Sequence, residues 1–248
     1  MYSGGSNFGL DLQRTGFNSL ARSIKNLNLV PPTGSKLHLA YITASLGALS
    51  DGLLTSIYSA ASGKINSSAP TRATKATGPV SKNARETVTV LFPSLSTVNT
   101  STGGPDNAGT ICLAKKSYDQ ETWPREILRD YVSTRHGMLS HAKTILAHTT
   151  GAKEPDKNVA WVFVGSSNFT ESAWGKVVKD RAKGQMKLVC RNWECGIIMP
   201  VLAPEDCILD TENPRAVFEP VLDIPCEFPG KKYEDEDEPW FFMNHHGR

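Results

Sequence analysis

The stretch "HAKTILAHTTGAKEPDKNVAWVFVGSSNFTESAWG" (residues 141–175) carries the reading on which the fold turns. Its apolar run AWVFV (160–164) is short for a helix and ends in Gly-Ser-Ser, so it reads as a buried strand closing in a turn. Asn168 follows that turn, at a strand end where a side chain can enter a cleft. Upstream, SHAKTIL (140–146) reads as a second strand, which would point His141 and Lys143 to one face because strand side chains alternate. Imidazole, ammonium and carboxamide meeting there suit a phosphate. Lysine offers charge and three donors, asparagine a neutral donor, and histidine a group that attacks or carries a proton near neutral pH. That chemistry needs no metal ligand set.

Working outward, Phe17, Leu20, Ile24 and Leu27 recur at helical spacing, which predicts an amphipathic helix over 10–27, ended by Pro31 and Pro32. KLHLAYI (36–42) alternates as a strand, and a second helix carries Leu53, Leu54, Ile57 and Tyr58. The composition then changes. Residues 64–85 are mostly small or polar, with five basic residues and no acid, and the segment 64–86 reads as a mobile basic insertion. It interrupts one domain, because a strand, TVTVLF (87–92), resumes at once. WPREILRDYV (123–132) reads as a helix with Pro124 in its first turn. MKLVC and CGIIMP read as separate strands. The opening MYSGGSNF reads as an exposed start, and the acidic run 234–238 as a solvated tail. Alternating strands and helices predict an α/β fold, an α-β-α sandwich with a mixed sheet.

A chain of 248 residues is long enough for one large or two small domains. Its formal charge of +2 neither implies nor excludes nucleic acid. The five cysteines form no C-x-x-C, which favours reduced thiols over a disulfide framework or a zinc site. No apolar run approaches the 18 residues of a membrane span, so no membrane partner is expected.

The H-x-K of 141–143 followed by the G-S-x-N of 165–168 resembles one half-site of the phospholipase D superfamily. That superfamily's H-x-K-x4-D acid is replaced here by His148. With "GSSNFTESAWG" and "NWECGIIMP", this departure is similar to the tyrosyl-DNA phosphodiesterase family, from about Ala40 through "PWFFM". The resemblance implies two such half-domains related by pseudo-symmetry, of which this is the C-terminal one. On that reading residues 1–35 are a helix and linker from the missing half, and 36–248 are the C-terminal phospholipase D-like domain.

The resemblance also implies an activity: hydrolysis of the 3′-phosphotyrosyl bond between DNA and a topoisomerase-derived tyrosine, through a phosphohistidine, without a cofactor or metal. In that scheme His141 is the general acid and then the base, and Lys143 and Asn168 hold the non-bridging phosphate oxygens. Glu194 orients the other half's nucleophilic histidine. Ser45 and Thr170 match hydroxyl residues at the DNA backbone, and Trp240 an aromatic beside the substrate groove. The implied partners are single-stranded or end-frayed DNA with a 3′ peptide adduct, the topoisomerase-derived peptide and the missing N-terminal half-domain. The implied setting is nuclear DNA repair, with DNA binding and exonuclease activity. No other histidine precedes a lysine by two residues, so this chain is expected to be inactive by itself. Two alternatives stay open: a catalytically incomplete nucleic-acid-binding module, or another superfamily phosphodiesterase or nuclease.

Overall fold

The computed structural model describes residues 2–8, 12–65, 79–154, 158–201 and 214–242. Its centre is a mixed sheet in the spatial order β1 (Tyr2–Phe8), β10 (Met186–Val201), β8 (Ala160–Gly165), β7 (Thr144–Thr150), β2 (Lys36–Ile42), β4 (Val88–Phe92), β6 (Leu128–Asp130). The strands β2, β4 and β6 run parallel, whereas β7, β8, β10 and β1 are joined by antiparallel ladders. β9 (Lys176–Lys179) pairs the first part of β10, and the two-residue strands β3 (Ser45–Leu46) and β5 (Cys112–Leu113) form a separate ladder.

Apolar side chains leave both faces of this sheet, and each face is covered. On one, α1 (Gly16–Asn26) buries Phe17, Leu20 and Ile24, and α2 (Asp51–Ala61) buries Leu53, Leu54 and Ile57, in one core with Tyr41, Phe163 and Trp174. Ser50 caps α2 by accepting from the Leu53 amide at 3.3 Å. On the other face Phe218, Ile224 and Cys226 pack on Ile42, Leu146 and Val162. The α/β layering with a mixed sheet is as the sequence predicts.

Several local expectations are corrected. Residues 2–8 are not an unpaired start: β1 pairs with β10, Tyr2 opposite Cys195 and Ser3 opposite Glu194. Helix α1 packs into the same core as the sheet. The 123–132 segment is a 3₁₀ turn (Arg125–Ile127) followed by β6, not a helix. The acidic run is mostly exposed, as expected of a solvated segment, and it is ordered into a turn in which the Glu234 amide donates to Asp237 and the Glu238 carbonyl accepts from the Leu95 amide. MKLVC and CGIIMP are one continuous 16-residue strand, β10.

The end of the basic segment is helical rather than loop. Helix α3 (Pro79–Thr87) forms at its end, and Arg85 bridges Asp51 and Glu126 at 2.8 and 2.5 Å. Residues 66–78 lie outside the described residues. Cys112, Cys195 and Cys226 are free thiols. No helix among the described residues is long and apolar enough to cross a membrane.

Candidate active site

The ends of β2 and β8 and the beginning of β7 lie side by side, because Ile42 pairs with Thr144 and Thr144 with Val164. The residues just beyond those pairs (Thr43, Lys143 and Gly165) therefore share one rim of the sheet. There the Gly165 amide donates to the Lys143 carbonyl at 3.1 Å.

His141 and Lys143 precede β7 rather than lying on it. Ser140 Oγ accepts from the Ala142 amide at 3.0 Å, a local turn bond that competes with a strand ladder. His141 is exposed, Lys143 is buried, and the Lys143 ammonium donates to the His141 carbonyl at 2.5 Å. The expectation of two side chains on one strand face is thus corrected to a folded-back pair. Burial pulls the Lys143 ammonium below the ordinary lysine range, with the Glu194 charge acting in the opposite direction. Burial and then the Lys143 charge pull the His141 imidazole below its ordinary value.

Asn168 is held from below. Thr43 Oγ1 lies 3.1 Å from its Oδ1, and the next amide, Phe169 N, donates to the same hydroxyl at 3.2 Å. Behind the turn, the Tyr41 hydroxyl donates to the Ser167 carbonyl and accepts from Trp174 Nε1, both at 2.7 Å, while its ring stacks on Phe169. Burial keeps that phenol far above its ordinary pKa, so it stays a neutral donor. These supports were not legible beforehand. Tyr41 and Thr43 sit at the end of an ordinary apolar strand, and only the register reveals what they touch.

Glu194 is 8% exposed and accepts from Ser166 Oγ at 2.5 Å and from Asn192 Nδ2 at 3.0 Å. Glu194 and Lys143 form no ion pair among the described residues. The two charges act on each other without contact. What brings Glu194 to the turn is the pairing of Gly165 with Gly196. A Cβ on Gly196 would lie 2.2 Å from the Phe163 ring, and one on Gly165 would lie 2.5 Å from the Cys195 carbonyl. Bare backbone is required on both strands.

Ser45 and Thr170 come together beside Asn168. Leu46 bridges to Phe169, and Gly47 is placed against the Thr170 side chain. The Thr170 hydroxyl accepts from the Ala173 amide at 3.2 Å, capping the short helix Glu171–Trp174, and keeps its own hydrogen to donate. Trp240 does not line a groove. It is fully buried, with Nε1 donating to the Ile111 carbonyl at 3.1 Å. Among the described residues no three His, Cys, Asp or Glu side chains are grouped to hold a metal ion.

A family model described as tyrosyl-DNA phosphodiesterase matches residues 2–234. The chain belongs to the tyrosyl-DNA phosphodiesterase family. A probable tyrosyl-DNA phosphodiesterase of Caenorhabditis elegans is 25% identical over 155 residues, which cover 61% of this chain and 29% of that protein. Tyrosyl-DNA phosphodiesterase 1 of Drosophila melanogaster is 26% identical over 160 residues, covering 63% of this chain and 26% of that one. The fold is that of the yeast tyrosyl-DNA phosphodiesterase, whose crystal structure superposes with a TM-score of 0.59 at 16% identity, over 97% of this chain and 56% of that chain. The chain thus matches under a third of the length of these curated relatives, and just over half of the solved one.

Proposed function

We propose that this chain is the C-terminal catalytic domain of a DNA repair phosphodiesterase that hydrolyses the 3′-phosphotyrosyl bond left by a topoisomerase. What supports the reading is that the segments carrying a half-buried amide (Asn168), a buried ammonium (Lys143) and an exposed imidazole (His141) meet at one rim of the sheet, where Thr43 lies against Asn168 and the Gly165 amide donates to the Lys143 carbonyl. A phosphate entering there takes the Lys143 ammonium, which exchanges the His141 carbonyl for a charged oxygen, together with the Asn168 amide. Both donors then stabilise charge that grows on the non-bridging oxygens.

The nucleophile is a histidine of the missing N-terminal half-domain. Its Nε2 attacks phosphorus, the tyrosyl oxygen leaves and takes the His141 proton, and His141 then removes a proton from the water that cleaves the phosphohistidine. Glu194, carried toward the cleft on β10, orients the attacking imidazole. A phosphate pressed against His141 raises its pKa, offsetting the pull of Lys143, so the acid form is made when substrate binds. Ser45 and Thr170 offer hydroxyls to the DNA backbone. The partners are single-stranded or end-frayed DNA with a peptide on its 3′ end, and the proposed setting is the nucleus.

The chain carries a single His-x-Lys, which favours a second reading: a module that holds nucleic acid without cleaving it. Adding the N-terminal half of a family enzyme to this chain, with a 3′-phosphotyrosyl oligonucleotide, separates the two. Release of tyrosine that is lost with His141→Ala supports the catalytic reading. Binding without release under the same mixing supports the module.

A further inference from the structure

We infer that Thr43 is a positioning residue that fixes which way the Asn168 carboxamide faces, so that its NH₂ and not its oxygen meets the phosphate. The inference rests on the phosphate-site reading above and adds a residue to it. A hydroxyl has one hydrogen and two lone pairs. Around Thr43 Oγ1 stand two backbone donors, the Phe169 amide at 3.2 Å and the Ser45 amide at 3.4 Å, which between them occupy the lone pairs. Two acceptors compete for the hydrogen: the Ser45 carbonyl at 3.0 Å and Asn168 Oδ1 at 3.1 Å.

If Asn168 turned over, its NH₂ would point at a hydroxyl whose acceptor positions are already filled. If the hydrogen stayed on the Ser45 carbonyl, the amide would face Thr43 with no bond in either orientation. Only donation from Thr43 to Oδ1 gives the amide a partner. Asn168 Nδ2 makes no hydrogen bond among the described residues, so both its hydrogens remain for a phosphate oxygen.

The discrimination is large because the wrong face is repulsive. A carboxamide oxygen turned to a phosphate puts two acceptors in contact. The backbone keeps Thr43 in place: it follows β2 directly, and its own amide donates to the Leu91 carbonyl at 3.4 Å. Tyr41 pins the turn one residue away through the Ser167 carbonyl. Thr43 therefore acts on the substrate through Asn168 and does not touch it.

The test titrates a single-stranded oligonucleotide carrying a 3′ phosphate onto the full chain, followed by fluorescence anisotropy and by ¹⁵N NMR of the Asn168 side-chain NH₂. Asn168→Ala should weaken binding about tenfold, the scale of one hydrogen bond to a charged group. Thr43→Val should weaken it nearly as much, Thr43→Ser should restore it, and Thr43→Val should add nothing on top of Asn168→Ala. The NH₂ signals should move on phosphate addition in the wild type and in Thr43→Ser only.

If Asn168→Ala binds as the wild type does, the phosphate-site reading itself fails. If Asn168→Ala weakens binding while Thr43→Val does not, the reading stands and the inference is overturned. Should Thr43→Val not fold, Thr43→Ala, which also removes the hydroxyl, takes its place: wild-type affinity and moving NH₂ signals in that variant overturn the inference.

Discussion

The Lys143 ammonium is bonded to the carbonyl of His141, two residues back along its own chain. The lysine and histidine of the candidate site are therefore tied through the main chain, and the ammonium has a neutral acceptor it can exchange for a charged one. Lys143 needs this neighbour because it is 6% exposed and would otherwise hold a charge in the protein with no bond.

The charge of Glu194 keeps the Lys143 pKa from falling further. Glu194→Gln should therefore lower the Lys143 pKa, read by ¹³Cε chemical shift against pH. The glutamine oxygen can still accept from Ser166, so the loss of stability should stay near 1 kcal/mol. A Lys143 pKa unmoved by the substitution would remove Glu194 from the electrostatics of the site.

His148 stacks on His38 with ring centroids 5.0 Å apart, and burial, then the His38 charge, push its pKa down to about 4. The unfolded chain binds this proton at a higher pH than the folded one, so the stability is full above the ordinary value near 6.5 and is lost as pH falls toward 4. The loss should reach ~3 kcal/mol for His148. Urea unfolding at a series of pH values should show the slope, and His148→Gln should flatten it.

Trp240→Ala should cost roughly 3–5 kcal/mol, from the cavity and the lost bond to the Ile111 carbonyl. Trp240→Phe should cost less and leave oligonucleotide affinity unchanged once the protein is folded. Thermal unfolding and anisotropy on the same samples check this. An affinity loss with full stability would return Trp240 to the groove.

Gly196→Ala should destabilise by more than 2 kcal/mol, the scale of an overpacked core, because the new Cβ meets the Phe163 ring. It should also displace Glu194 from Ser166. The readouts are the unfolding midpoint and the amide shifts of Ser166 and Cys195, whose backbones are hydrogen-bonded at 2.9 Å.

The α/β layering was legible because AWVFV and KLHLAYI are apolar runs bounded by turn residues, and Asn168 was legible because a strand must end at Gly-Ser-Ser. The SHAK strand was misread because Ser140 and Lys143 satisfy local backbone groups with their own side chains, which period-2 counting does not register. WPREILRDYV misled because Ile127 and Leu128 are adjacent, a pattern a short helix and a strand share. The Gly-rich opening became a strand only because β10 offers an edge, which is tertiary context overriding weak local preference. Trp240 was misplaced because an aromatic-rich PWFF reads alike for a groove and for a core, and only the fold sets the Ile111 carbonyl opposite its indole.

The antiparallel pairing of β1 with β10 sets Tyr2 across from Cys195 and Ser3 across from Glu194. Neighbouring strands lie about 4.8 Å apart. A polypeptide fused ahead of Tyr2 is thus delivered to the doorstep of the carboxylate by the backbone itself, like a line made fast beside the quay. A partner half attached there by a short flexible linker would experience an effective concentration in the millimolar range. The join would need no interface of its own to assemble, and the point of attachment would decide which rim of the cleft it reaches first.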